Sequence, residues 1–514
     1  MSFVSLEYIA LLIISALLYF ILPKKYRFVV LVIANIVFYV YATGFHALYL
    51  LASIISVYLT GLYFNKMEAK KSELKSLELE KRKAAKKIIN KHKRLGLIIT
   101  VLFNVGILLV LKYNGFFINI FNGIFNSDIN IIKFILPLGI SYYTLMAISY
   151  VVDTYNNKYE ASKNFFKVFL YLSFFPLMVE GPIARFDEIG DSLMEGHDYS
   201  FERVNNALLR IVWGFIKKLV IADRVGLFAD AIFQGGHSGL VVLTGVLLYV
   251  LQIYSEFSGC MDIVIGTGEI FGIKLPENFK NPFFSKDIGE FWRRWHITLG
   301  TWLKDYIFYP ISISKTNLKL SISSHKHLPK FLADFIMMGF PLLFVWLIMG
   351  FWHGASFKYI LYGLYYYVLM MIGILLKPLF NMIIKGLKIK TECFSYHLFQ
   401  SLRTFILITI GMTIFRANTF IDAFNILGSI FIPSTEKVSA IANGKANVIL
   451  IVVCTIILLI VDILKYKGVN IIKKINEQNL IFKYLVYLAI ILFLLIFGIY
   501  GYGYNPSSFI YGEF

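Results

Sequence analysis

Along most of this chain apolar residues come in unbroken runs, and polar residues gather in the stretches between them. The runs cover residues 5–22, 28–43, 46–64, 95–112 and 132–151, then 206–222, 238–256 and 258–273, and finally 331–350, 357–376, 396–415, 447–464 and 483–500. A helix needs about 20 apolar residues to cross a bilayer, and these runs lack the period-two alternation of strands. They predict an all-α fold, a polytopic transmembrane helical bundle with about 11–12 spans. Residues 165–186 are apolar as well, but they end in FFPLMVEGPIAR, where Pro176, Gly181 and Pro182 break a helix. Broken backbone at membrane depth must be buried in protein or line a cavity, so a re-entrant segment is expected there.

The interruptions set the orientation. Lys24, Lys25 and Arg27 follow the first run and place that loop inside, with the N-terminus outside. That first run has no cationic stretch before it and no small-residue cleavage site after it, so it reads as a retained span. Residues 65–94 are dense in Lys and Glu at three- and four-residue spacing, the pattern of a solvated cytoplasmic helix. The runs 331–350 and 357–376 are separated only by FWHGAS and have lysines at both outer ends. Both outer ends then lie inside, and the turn at Gly350–Ser356 lies deep in the membrane or at its far face, carrying His353. Lys465, Lys467, Lys473 and Lys474 mark another inner loop, so the tail at 501–514 ends outside.

Composition agrees with the pattern. Of 514 residues, 58% are hydrophobic and 16% charged, against about 25% charged in soluble domains. The formal net charge is +19. The basic residues sit in loops beside apolar runs, so anionic lipid headgroups rather than nucleic acid are the expected counter-charge. The three cysteines, Cys260, Cys393 and Cys454, form no CxxC motif, and neither a disulfide framework nor a zinc site is indicated.

One stretch is too charged for lipid and too aromatic for an ordinary loop: FWRRWHITLGTWLKDYIFYP, residues 291–310. Read as one helix, it places Trp292, Trp295, His296, Leu299, Trp302 and Tyr306 on one face, with Arg294, Thr298, Thr301 and Asp305 beside them. His296 and His353 are the ionisable residues that stand out in apolar surroundings, and such residues are functional candidates. A packed, hydrogen-bonded histidine is the competing reading of each. Gly350 and Gly354 would let a ligand approach the backbone near His353. Arg293, Arg294 and Lys304 are suited to a phosphate-rich donor arriving from the cytoplasm. Trp292, Trp295, Trp302, Asp305, Trp352 and Asn278 complete the expected substrate contacts. No HExxH, GxSxG, Walker or GxGxxG sequence occurs, so metal catalysis is not expected and general-base catalysis by histidine is. The terminal FIYGEF offers Tyr511 either as an interfacial anchor or as a hydroxyl nucleophile.

Several stretches, in order across roughly residues 135–425, resemble the membrane-bound O-acyltransferase (MBOAT) family, in the bacterial branch that holds alginate O-acetyltransferases and the teichoic acid D-alanyltransferase. They are GISYYTLMAISYVVDTY, EGPIAR, WGFIKKLVIADR, LQIYSEFSGCMDIVIGTGEIFGIKLPENFKNPF, EFWRRWHITLGTWLKDYIFYP, MGFWHGASFKYILYGLYY and IFRANTFIDAF. The resemblance implies a catalytic core at 131–425, between N-terminal helices at 1–130 and C-terminal helices at 426–514. It implies that His353 is the catalytic histidine, that His296 is a second active-site histidine, and that Tyr511 carries the acyl group in a relay. No bound cofactor is implied. The substrate is an acyl thioester, on coenzyme A or an acyl-carrier protein. An extracytoplasmic SGNH-type acetyltransferase is the implied partner, a cell-surface polysaccharide the acceptor, and the bacterial cell membrane the location. Leu177, Glu180 and Cys260 depart from the family pattern, so the identity of the substrate is not carried over. D-alanyl transfer to teichoic acid and, outside enzymes, transport or lipid flipping are the alternatives.

Overall fold

A computed structural model describes residues 2–74, 78–442 and 444–501. Helices make up most of it, and the extended pairing among the described residues is one bridge between Phe279 and Trp295. Among the described residues, eight helical segments are long and apolar enough to cross a membrane: Lys24–Glu73, Leu79–Phe125, Leu240–Ile270, Lys330–His353, Phe357–Leu375, Phe394–Arg416, Lys445–Tyr466 and Leu480–Phe497. This multi-pass, all-helical architecture is the expected class, with fewer qualifying segments than the pattern suggested.

The reasons for the lower number are local. The runs 238–256 and 258–273 are one helix, Leu240–Ile270. The polar residues between them do not break it, because Glu256, Ser258 and Asp262 find partners on a neighbouring helix. The runs 28–43 and 46–64 are separated only by a 3-10 turn at Gly44–His46 and form one continuous segment. The run at 132–151 becomes helical only at Ile140, behind Pro137 and the left-handed Gly139 at φ 71°. The first run gives only the 16-residue helix Leu6–Ile21.

The Lys/Glu-rich stretch 65–94 is not one separate helix. It ends one helix, Ala47–Glu73, and opens another, Leu79–Phe125. Nor is it wholly solvated: Lys93 is 3% exposed and pairs with Glu68 at 2.7 Å. The segment at 165–186 is broken as expected, with a helix Phe165–Ser173 and a 3-10 turn Phe175–Leu177. Its backbone is buried throughout Leu170–Phe186. A Cβ on Gly181 would lie 2.4 Å from Leu177 Cα, so the turn excludes any side chain there.

The chain forms two compact units, Met1–Leu208 with Val264–Pro276, and Leu209–Ile263 with Glu277–Phe514. Both candidate histidines belong to the second. In it, helices Lys330–His353 and Phe357–Leu375 form a close hairpin. A Cβ on Gly350 would lie 2.3 Å from Tyr359 O, and one on Gly363 would lie 2.2 Å from Trp346 O. Small residues facing each other allow such backbone contact between membrane helices. Gly350 and Gly354 therefore make room for Tyr359 rather than for a ligand, which corrects the expectation drawn from their sequence position.

Candidate active site

The stretch 291–310 is not one helix. Helix Ile288–Arg294 is capped by Asp287, whose side chain accepts from Glu290 N, and ends at Trp295. A second helix runs over Ile297–Leu303 and continues as a π-helical turn at Lys304–Phe308. His296 stands at the break as the N-cap of the second helix, in the left-handed region at φ 48° and ψ 51°. Few non-glycine residues take this conformation, histidine and asparagine more readily than most, and here the surroundings enforce it. Two bonds from one loop do so, flanking the bridge between Phe279 and Trp295: Lys280 N donates to Arg294 O at 2.9 Å, and Ile297 N donates to Asn278 O at 3.0 Å.

The side chain of Asn278 completes the support. Its Oδ1 accepts from Thr298 N and from Thr298 Oγ1, each at 3.0 Å. The backbone N–H can only donate, which fixes the amide orientation. His296 Nδ1 lies 3.3 Å from that same oxygen and must therefore carry the proton. Nε2 is left as the basic nitrogen, buried and without a hydrogen-bond partner among the described residues. His296 is 2% exposed, and burial disfavours its imidazolium, holding its pKa down at about 3. The residue is thus a neutral base at ordinary pH.

His353 is built differently. It closes the helix Lys330–His353, with Gly354 as cap, and is 3% exposed. Aromatic edges surround it, with ring centroids at 5.1 Å for Trp352, 5.3 Å for Phe415 and 6.0 Å for Tyr362. Trp352 connects the two histidines, its ring lying 5.9 Å from His296 and 5.1 Å from His353. Phe257 closes the other side of His296 at 4.8 Å. Two buried imidazoles thus flank one tryptophan in a setting of rings.

The remaining expected contacts separate. Asn278 has no exposed surface and supports His296 rather than offering itself to a substrate. Trp295 is enclosed by Phe279, Phe283 and Phe291 at 5.0, 6.2 and 5.5 Å. Trp292 packs on Trp346 and Tyr366 at 5.2 and 4.9 Å. Trp302 is buried against Tyr306 at 5.1 Å. Arg293, Lys304 and Asp305 are exposed, and Lys304 lies over the Tyr309 ring at 5.4 Å. Arg294 is half-buried, pairs with Glu290 at 2.6 Å and lines a large cavity. Tyr511 and the rest of FIYGEF lie outside the described residues.

Lys217 and Lys218 fall near the end of the apolar run 206–222, where lysines ordinarily mark a flank. They are instead buried, at 4% and 1% exposure, in a π-helical turn at Ile216–Ala222. Lys217 pairs with Asp262 at 2.6 Å, and Lys218 pairs with Asp223 at 2.8 Å and Glu256 at 3.2 Å. The signal was present in the sequence, since lysines in one apolar run and carboxylates in another must pair if both are buried.

Residues 161–415 match the model of the membrane-bound O-acyltransferase family. The chain is 29% identical over 421 residues to a protein described as a probable alginate O-acetylase of Pseudomonas syringae, covering 80% of this chain and 72% of that one. It is 34% identical over 303 residues to a peptidoglycan O-acetyltransferase of Helicobacter pylori, covering 54% of each. It is 30% identical over 254 residues to a teichoic acid D-alanyltransferase of Bacillus subtilis, covering 47% of this chain and 59% of that one.

Proposed function

From the premise that this chain is a multi-pass acyltransferase with an MBOAT domain at residues 161–415, we propose that it transfers an acetyl group from a cytoplasmic thioester across the cell membrane, toward a cell-surface polysaccharide. The observation that carries this reading is the placement of His296 and His353 on either side of Trp352, both buried among rings.

In the reaction His353 takes the proton of the attacking hydroxyl. The hydroxyl oxygen forms a bond to the thioester carbonyl carbon, and the carbon–sulfur bond breaks. The proton passes to the leaving thiolate, so that an ester and a free thiol result. A positioned base of this kind contributes about 10²–10⁴-fold in rate. His296 Nε2 offers a second neutral acceptor next to the same tryptophan. The exposed Arg293 and Lys304, with Arg294, suit the phosphates of coenzyme A or of a carrier-protein arm. Tyr511 is the proposed relay hydroxyl, and an SGNH-type partner outside completes transfer to the polymer. The names of the alginate and peptidoglycan relatives support an acetyl group and a polysaccharide acceptor.

The test is transfer in membranes with a labelled acetyl thioester. His353→Ala should abolish ester formation, and His353→Gln, which keeps much of the buried volume, should do so while the purified protein stays close to the parent melting temperature. Full surface acetylation in either variant would sink the mechanism, and acyl mass absent from the 501–514 peptide after donor loading would sink the relay. The D-alanyltransferase relative favours a second reading, D-alanyl transfer. It wins if the group found on the cell-wall polymer has the mass of alanyl rather than acetyl.

A further inference from the structure

The second unit contains a cavity of about 1260 Å³ whose lining includes neither histidine. It exceeds the roughly 300–1,000 Å³ of ordinary small-molecule pockets. Its lining is chemically divided. Ile457, Leu458 and Val461 of one span face it together with Val486, Ile490 and Phe493 of another. These two spans, Lys445–Tyr466 and Leu480–Phe497, are the least buried of the eight, at 17% and 6% of their apolar windows. The rest of the lining carries Arg210, Lys217, Lys280, Arg294 and Lys465 against Asp262, Glu277 and Asp462.

The carboxylates are already satisfied from within the protein. Asp262 is held by Lys217 at 2.6 Å and by Arg210 at 3.0 Å, and Glu277 by Arg210 at 2.7 Å. Asp462 accepts from Tyr254 OH at 2.8 Å. Among the described residues neither Lys280 nor Lys465 forms an ion pair, although Lys465 lies near enough to Asp262 and Asp462 to act on both electrostatically. A surplus of positive charge therefore faces a large cavity with an aliphatic wall. Lys465 opens the basic loop that precedes the last span, the kind of loop that marks the cytoplasmic side. Basic pockets between membrane helices on that side take anionic lipid headgroups.

We infer that this cavity is a binding site for an anionic phospholipid, its phosphate between Lys280 and Lys465 and its acyl chains along the 457–461 and 486–493 walls. The site also borders the support of His296, since Met261 lines the cavity and its Sδ accepts from Asn278 Nδ2 at 3.4 Å. An occupant there would stiffen the backing of that histidine without touching the reacting atoms. The inference does not depend on the proposed acyl transfer.

Native mass spectrometry of the delipidated full chain in detergent tests it. Phosphatidylglycerol, phosphatidylethanolamine and coenzyme A are offered separately and in competition. Phosphatidylglycerol should be retained at a tenfold or greater dilution relative to phosphatidylethanolamine. The double variant Lys280→Ala/Lys465→Ala changes two exposed side chains and should erase that preference. Val486→Trp, which fills the apolar wall with every charge intact, should lower retention of both lipids. Equal retention of the two lipids by the parent, or an unchanged preference in the double variant, would overturn the inference. So would displacement of bound phosphatidylglycerol by coenzyme A, which would assign the cavity to a soluble phosphate-bearing donor.

Discussion

His296 and His353 are equally buried, yet the protein holds them by opposite means. His353 ends a long apolar helix, and rings of Trp352, Tyr362 and Phe415 fix it from several sides. His296 sits at a break between two short helices, in a left-handed conformation, and one asparagine decides which nitrogen carries its proton. Around the first the contacts described are ring edges, and around the second they are a polar network. Deleting a ring from the first leaves a void, which weakens packing in proportion to its volume. Deleting an atom from the second leaves buried donors without an acceptor, which is costly out of proportion to its size.

The sharpest way to break this comparison is at His353 itself. His353→Gln keeps much of the volume and removes the base, so transfer should fall by about 10²–10⁴-fold while the melting temperature stays close to that of the parent. A parallel loss of both would make His353 a packing residue, and the contrast with His296 would collapse. Turnover with labelled thioester and thermal unfolding, measured on the same preparation, decide it.

Asn278 should give the next largest effect. Asn278→Ala removes the acceptor shared by Thr298 N, Thr298 Oγ1 and His296 Nδ1. Leaving a buried donor unsatisfied costs about 1–3 kcal/mol, so the variant should unfold at a lower temperature. Asn278→Asp keeps the oxygen and adds charge beside the imidazole. Its folded-state pKa now lies below the ordinary 6.5, so the stability tied to neutral His296 is present above that pH and lost as pH falls toward about 3. A carboxylate stabilises the imidazolium and raises that pKa. The acid limb of the pH–rate profile should therefore move to higher pH in Asn278→Asp, and a limb that does not move would mean His296 has no part in the rate.

These two sites were not equally legible in the sequence. The hairpin around His353 follows from two apolar runs joined by FWHGAS and flanked by lysines, and the helices Lys330–His353 and Phe357–Leu375 match those runs closely. The break at Trp295–His296 was not legible, because the helical spacing of its tryptophans is good enough to predict an unbroken helix. The competing force is tertiary: the Phe279 bridge and the bonds from Asn278 and Lys280 draw the backbone out of the helix. The buried Lys217 was missed for a related reason, since a lysine at the end of an apolar run looks like a flank until Asp262 is found opposite it. Asn278 was expected at the substrate, and only contact geometry shows it behind the histidine.

The glycine contacts test the shape-held side alone. Gly350→Ala places a Cβ 2.3 Å from the Tyr359 carbonyl oxygen, which is backbone and cannot swing aside. Overpacking of this kind costs about 1–3 kcal/mol. Gly373→Ala, on the same hairpin with nothing within 4 Å, is the control. It should be neutral or stabilising by about 0.5–1 kcal/mol through helix propensity. Unfolding of both in detergent should separate them clearly, and equal melting temperatures would show that the hairpin can spread without cost.

The smallest effect concerns the backbone of His296, separated from its chemistry. Alanine, asparagine and glycine at this position all lack the imidazole, so transfer falls alike in the three. Their stabilities should differ, because His296 takes φ 48°. Asparagine and glycine enter the left-handed region readily, whereas for alanine it costs about 1–2 kcal/mol. The expected order of melting temperature is His296→Asn and His296→Gly above His296→Ala, against the usual helix-propensity order in which alanine leads. If alanine is the most stable of the three, the two short helices have rejoined into one. The tryptophan spacing of residues 291–310 would then prevail over the contacts from Asn278, and the polar network would be too weak to impose the break by itself.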